Sequence, residues 1–256
     1  MPDLVHVTVI DDGAFWRVTF GGSTGNVLDR HLMAALARTI ADARGARDLK
    51  AVLLEGRGGH FSYGASVQEH MPEHVRDMLT TFRHLILDIL DCHVPIVAVV
   101  NGQCLGGGLE LAVTSHRIVA SAGATFGQPE IALGVFAPIA SILLPERIGR
   151  ARAEDLCLTG RAIGAAEAQQ MGLIDDVVDG DPFEPSLAWV RAHFAGRSAS
   201  SLRLAVAAIR VELSARVRTE LPRLEAMYLR DLMSTQDAME GVTAFLEKRP
   251  PAWKNA

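Results

Sequence analysis

Apolar residues follow two different periods along this chain, and the change of period divides it. Residues 6–10 and 14–20 are strand-like runs flanking Asp11-Asp12-Gly13, a hairpin signal. Leu28, Leu32, Leu36 and Ile40 recur every four residues and predict an amphipathic helix that stops at Gly45. The short apolar runs 51–54 and 96–100 predict buried strands. Each leads into a glycine-containing loop and then a helix, expected over about 73–90 in one case and from near Gly107 in the other. Residues 118–120 and 125–126 predict shorter strands. Strand–loop–helix units in succession argue for an α/β architecture with largely parallel strands. From about Pro182 strand signals vanish and helical patterns take over, including 202–213 and 221–233. The expected division is a core over 1–195 and a C-terminal helical region over 196–256. No repeat or low-complexity tract is visible in the sequence.

Composition narrows the class. The 256 residues are 49% hydrophobic and 21% charged, which suits a compact protein with a large core. A net charge of −5 gives no general electrostatic case for nucleic acid or an anionic membrane, although a local basic pocket for a phosphorylated ligand stays open. The most apolar stretch, 85–100, contains Asp88, Asp91, His93 and Pro95, which excludes a simple membrane span. The first ten residues carry Asp3 and His6 and lack the layout of a signal peptide. Cys92, Cys104 and Cys157 have no metal-ligand spacing and read as reduced thiols. The expectation is a soluble, cytoplasmic protein. Cys104 lies near a glycine triplet and reads as a packing residue, with a nucleophile as the minor alternative.

The chemistry concentrates around two glutamates. Glu110 closes Asn101-Gly-Gln-Cys-Leu-Gly-Gly-Gly-Leu-Glu110, directly after an apolar strand, and Glu130 closes Phe126-Gly-Gln-Pro-Glu130. Two carboxyls sharing a site can hold a water and move protons, provided something stabilises the charge of the intermediate. Gly106 to Gly108 lets a ligand oxygen approach bare backbone N–H groups. A second N–H could come from the loop Gly58-Gly-His-Phe-Ser-Tyr-Gly-Ala-Ser-Val67, where Gly64 permits a sharp turn and Ala65 lacks bulk. Taken singly, Glu110 reads as a helix-start acid and Glu130 as a turn acid. Together with two glycine loops, the catalytic reading is the stronger. A dinucleotide-binding reading fails because Leu111 occupies the third glycine place of G-x-G-x-x-G. Nine histidines without H-E-x-x-H and the absence of G-x-S-x-G argue against metal catalysis and a serine hydrolase of that type. Lys248 and Arg249 are surface charges by default and the obvious grip for a phosphate.

These segments resemble the enoyl-CoA hydratase/isomerase (crotonase) superfamily over nearly the whole length. The motifs are His60-Phe-Ser-Tyr-Gly-Ala-Ser-Val, Asn101-Gly-Gln-Cys-Leu-Gly-Gly-Gly-Leu-Glu-Leu-Ala, Phe126-Gly-Gln-Pro-Glu-Ile-Ala-Leu-Gly and Phe245-Leu-Glu-Lys-Arg-Pro. The resemblance implies a crotonase-like ββα spiral core and a C-terminal helical trimerisation region, with trimers often paired into hexamers. It implies a coenzyme A thioester as substrate and no cofactor or metal. It assigns the oxyanion-hole N–H groups to Ala65 and Gly107 and the two hydratase carboxyls to Glu110 and Glu130. Asn26, Tyr63, Ser66, Val67, Gly106 and Phe136 fall to substrate binding. Phe245 and Lys248 match a tail segment that helps hold coenzyme A, often from a neighbouring subunit. Two departures stand out: Gly64-Ala65-Ser66 replaces Gly-Ala-Asp, and Val135-Phe-Ala-Pro-Ile-Ala-Ser141 replaces a glycine-rich stretch. With Val67-Gln-Glu-His-Met-Pro72 and the tail 248–254, they resemble the subfamily of cyclohexa-1,5-diene-1-carbonyl-CoA hydratases of anaerobic benzoyl-CoA degradation. A generic linear enoyl-CoA hydratase or isomerase, and a non-catalytic scaffold, are the alternatives.

Overall fold

The computed structural model describes residues 4–22 and 24–256; residues 1–3, part of the N-terminal segment read above, lie outside them. Strands β1 (Val5–Ile10) and β2 (Phe15–Phe20) pair antiparallel as the expected hairpin. Its turn places Asp11 and Asp12 at φ 51° and 55°, a region that short polar side chains tolerate better than other L-residues. The chain continues through α1 (Arg30–Gly45), β3 (Ala51–Gly56), α2 (Val75–Cys92), β4 (Ile96–Val100), β5 (Gln103–Leu105) and α3 (Gly107–Val113). Then follow β6 (Arg117–Ser121), β7 (Thr125–Gly127), a 3-10 turn (Pro129–Leu133), α4 (Ala140–Ile148), α5 (Arg150–Thr159), β8 (Ala162–Gly164) and α6 (Ala165–Met171). The last elements are β9 (Asp176–Val178), α7 (Phe183–Phe194), α8 (Ala199–Met227) and α9 (Gln236–Leu246).

The strands form two sheets. The larger runs β1-β2-β3-β4-β6-β9, parallel from β2 onward, and the smaller runs β5-β7-β8. Single-residue bridges, Ser62 to Cys104 and Leu28 to Ala65, carry the pattern of the smaller sheet back through earlier turns. Each pass therefore gives a strand to the large sheet, a short extended piece to the second, and then a helical segment. This is a ββα spiral. The repeat is geometric, because its second-sheet pieces are three residues or a lone bridge and leave no periodic signature in sequence.

Both faces of the large sheet are buried, which is why its central strands are continuous apolar runs. Val52, Leu54, Ile96, Ala98 and Val100 face the main core with α1 and α2. Ala51, Leu53, Val97 and Val99 face the other way, under Phe183, Leu187 and Val190 of α7. The helical patterns 202–213 and 221–233 prove to be one helix, α8, of 29 residues that runs through Pro222 into a π-helical turn at Tyr228–Leu232. Long-range anchors hold it there. Arg210 donates to the Thr114 carbonyl at 2.6 Å, Arg218 pairs with Asp91, and Val217 and Leu221 enter the main core. Among the described residues no helix is long and apolar enough to cross a membrane.

Candidate active site

The site forms where consecutive turns of the spiral meet. Gly64 takes φ +104°, and a Cβ there would meet the Leu105 carbonyl at 2.9 Å, so only glycine lets these two loops touch. Gly108 packs equally tightly on the earlier turn; a Cβ would stand 2.7 Å from both Cβ and O of Ser62. The result brings Ala65 beside the first turn of α3. A Cβ on Gly107 would stand 3.0 Å from the Ala65 nitrogen, so the two amides flank one gap. Neither N–H has an acceptor among the described residues. For Gly107 that follows from its place at the start of α3, where the first amides have no intrahelical partner.

Glu110 sits in the first turn of α3 and Glu130 in the 3-10 turn after β7. Both line one small cavity of about 30 Å³, room for one or two waters. Ala65, His70, Met78, Phe136 and Tyr228 share its wall. Glu110 Oε1 accepts the Ala140 N–H at 2.8 Å, at the N-terminus of α4. Glu130 Oε1 accepts the Gln128 side-chain amide at 3.1 Å, while its Oε2 is buried without a partner. Burial pushes the Glu110 carboxyl up to about 7, against the opposing pull of the Ala140 and Ile139 amides. Burial, then the nearby Glu110 charge, pushes Glu130 up to about 8. Like charges that close cannot both ionise freely, so near neutral pH the pair holds a proton it can give.

A larger chamber, about 390 Å³, opens from this cavity and shares Ala65, His70 and Glu130 with it. Tyr63, Val67, Gly106, Gly107, Leu133 and Phe245 also line it. Its outer wall comes from this chain's own α9. The tail after α9 turns back over that helix, with Lys254 and Asn255 amides donating to Asp237 and the Ala252 amide to Glu240. Phe245 thus lines the chamber of its own chain.

Several assigned residues fall elsewhere. Asn26 is buried outside both cavities, its amide donating to the carbonyls of Arg57, His60 and Phe61. It braces the first loop rather than facing a ligand. Ser66 lines neither cavity, and its main chain donates its N–H to the Leu28 carbonyl and accepts from His70 Nδ1. Lys248 adopts φ +56°, the left-handed residue that ends α9, and it is Arg249 that returns to line the chamber. Arg249 already pairs with Glu240 and Glu247. Cys104 is fully buried in the main core and burial drives its thiol well up, the packing role expected of it.

Sequence reasoning missed the floor of the inner cavity. Leu221, Glu225 and Tyr228 reach it from the end of α8, spaced four and then three residues apart on one helix face. Burial pushes Glu225 up to about 7 although it pairs with Arg83. That spacing was the available signal, but nothing in the sequence says which distant surface the face meets.

A family model described as enoyl-CoA hydratase/isomerase matches residues 15–256. The chain belongs to the enoyl-CoA hydratase/isomerase family. It is 47% identical, over 95% of its own length and 94% of the relative's, to the cyclohexa-1,5-dienecarbonyl-CoA hydratase of Thauera aromatica. It is 35% identical over 90% of its length to a probable enoyl-CoA hydratase of Rhizobium meliloti, covering 88% of that protein. A crystal structure of an enoyl-CoA hydratase from Mycobacterium avium superposes with a TM-score of 0.88 at 26% identity, covering 99% of this chain and all of that one. The family and the crotonase-like fold expected from the four motifs are therefore both met. Phe136, Ala137, Pro138 and Ile139, from the apolar segment after the second glutamate, line the inner cavity.

Proposed function

We propose that this enoyl-CoA hydratase/isomerase family member adds water to cyclohexa-1,5-diene-1-carbonyl-CoA, giving 6-hydroxycyclohex-1-ene-1-carbonyl-CoA in anaerobic benzoyl-CoA degradation. The observation that carries the reaction type is the meeting of two buried carboxyls with two unengaged amides, Ala65 and Gly107, around one small cavity. The Thauera aromatica relative supports the choice of substrate.

Volume supports a division between the two cavities. The inner one has room for one or two waters and suits the nucleophile, and the larger chamber suits the ring. The thioester oxygen lies between the N–H groups of Ala65 and Gly107. Glu110, fixed by the Ala140 amide, positions the water, and one carboxylate takes its proton as the hydroxyl joins the β-carbon of the ring. The electron pair moves onto the thioester oxygen as an enolate, which extends through the second double bond. Glu130, poised to hold a proton near neutral pH, delivers it at the far carbon of the diene. Water is thus added across the ends of the diene, and no group outside this chain takes part in the proton movements.

Initial rates of hydration, read spectrophotometrically, test the substrate. The expected result is kcat/KM for the cyclic dienoyl-CoA at least tenfold above that for crotonyl-CoA. Preference for the linear thioester would favour a generic hydratase, and activity on neither would favour a scaffold. We further propose that the chain assembles as a homotrimer or a dimer of trimers. Large apolar side chains stand exposed on α5 and α8, Leu158 at 70%, Leu204 at 73%, Ile209 at 82% and Val211 at 64%, more than an isolated surface readily tolerates. Sedimentation equilibrium should give three or six times the chain mass; a monomer at micromolar concentration would rule the assembly out.

A further inference from the structure

The inner cavity has five polar side chains on its wall: His70, Glu110, Glu130, Glu225 and Tyr228. Three are tied down. His70 Nδ1 meets the Ser66 carbonyl, Glu110 takes the Ala140 amide, and Glu225 pairs with Arg83. The remaining two leave atoms with no protein partner, Tyr228 Oη and Glu130 Oε2, and both atoms are buried. Buried polar atoms are nearly always hydrogen-bonded, and an unpaired one costs stability, so two on residues that line the same small cavity need a reason.

The backbone supports the placement. Tyr228 opens the π-helical turn Tyr228–Leu232, and the Met233 amide bonds back to its carbonyl at 2.9 Å. Such turns are rare and gather at functional sites, because the extra residue re-aims the side chains around it. The Phe136 ring lies 5.2 Å from the Tyr228 ring and fixes its plane. The phenol is 1% exposed, so bulk water does not serve its hydroxyl. Burial together with the charges of Glu130 and Glu110 keeps that hydroxyl protonated, as a donor.

Resting on the hydration reading above, we infer that Tyr228 is a positioning residue whose hydroxyl donates to the oxygen of the water held by Glu110 and Glu130. The bonding of that water then closes. One O–H goes to the carboxylate that will take the proton and the other to an oxygen of the second carboxyl, one lone pair accepts from Tyr228, and the second lone pair is left to attack the ring. Tyr228 keeps its proton throughout, so the added atoms remain those of water. A cavity of about 30 Å³ with two or three polar partners is what one ordered water requires.

Tyr228→Phe tests this in the full-length protein on whichever thioester the parent hydrates best. The expected result is a fall in kcat of tenfold or more, with KM within threefold and a thermal midpoint equal to or above the parent's. The midpoint separates positioning from packing, because the ring stays and only an unpartnered hydroxyl is lost. Incorporating 3-fluorotyrosine at 228, which restores the hydroxyl, should restore turnover. A kcat within twofold of the parent, or a lowered midpoint accompanying the loss, would overturn the role. Glu130→Gln run alongside keeps the two readings apart: if it is inactive while Tyr228→Phe is unimpaired, only the tyrosine assignment falls. If Glu130→Gln is also fully active, the paired-carboxyl reading falls and takes the tyrosine with it.

Discussion

Glu130→Gln is expected to lower kcat by roughly 10²–10⁴-fold, the usual cost of losing a general acid or base. Thioester binding, measured by calorimetry, should change little, because Gln keeps the shape of the side chain and its contact with Gln128. Retention of more than a tenth of the parent turnover would refute the role. The same substitution should change the pH dependence of folding. Glu130 is raised in the folded chain from an ordinary value of 4.5 to about 8. A carboxyl raised on folding favours the native state below its unfolded pKa, and that contribution is lost as pH climbs through the folded value. The loss therefore falls between pH 4.5 and about 8 and is of the order of a few kcal/mol. Glutamine does not titrate, so the variant should gain stability relative to the parent on going from pH 5 to pH 9. Urea unfolding at both values reads the difference, and equal shifts at the two would contradict the buried pair.

Gly107→Ala should separate folding from catalysis even more cleanly. Gly107 does not occupy the left-handed region, so alanine fits its backbone, and in a helix alanine is favoured over glycine by up to about 1 kcal/mol. The new methyl would meet Ala65 N at 3.0 Å and the Ala65 Cβ and Phe82 ring at 3.4 Å, contacts that need shifts of only tenths of an ångström. Stability should stay within about 1 kcal/mol of the parent. The methyl, however, stands in the gap between the two amides. Losing one oxyanion donor costs roughly 10²–10³ in kcat, and here the carbonyl oxygen is pushed from both. We expect kcat/KM to fall at least a hundredfold, measured beside a urea titration. Near-normal activity in a folded variant would show that the charge is stabilised elsewhere.

The parts of this fold legible in the sequence are those whose cause is local. Residues 96–100 read as a buried strand because both faces of β4 are covered, and α1 read correctly because one face of it meets the core. The glutamates were visible because each directly follows backbone that must come close to another segment. Strands β5, β8 and β9 were not: three residues carry no period, and of the three-residue strands only β7 was signalled, at 125–126. Helix α8 read as two patterns, 202–213 and 221–233, because the anchors that hold it as one helix lie about a hundred residues away at Thr114 and Asp91. Asn26, Ser66 and Lys248 adjoin the right loops, but none lines either cavity: the Asn26 amide is bound to backbone, the Ser66 main chain bonds Leu28 and His70, and Lys248 ends a helix, which only the three-dimensional path reveals. Tyr228 and Glu225 escaped for the opposite reason: they lie far along the chain from the loops that carry the amides and the paired glutamates.

The larger chamber is walled by Val67, Leu133, Gly241, Ala244 and Phe245, none of which lines the inner cavity. Which guest is admitted and how the water is handled are thus written in different stretches of the gene. Exchanges in the chamber wall can alter the guest while the proton-handling machinery is inherited intact, a division of labour that lets one scaffold diversify without relearning its chemistry.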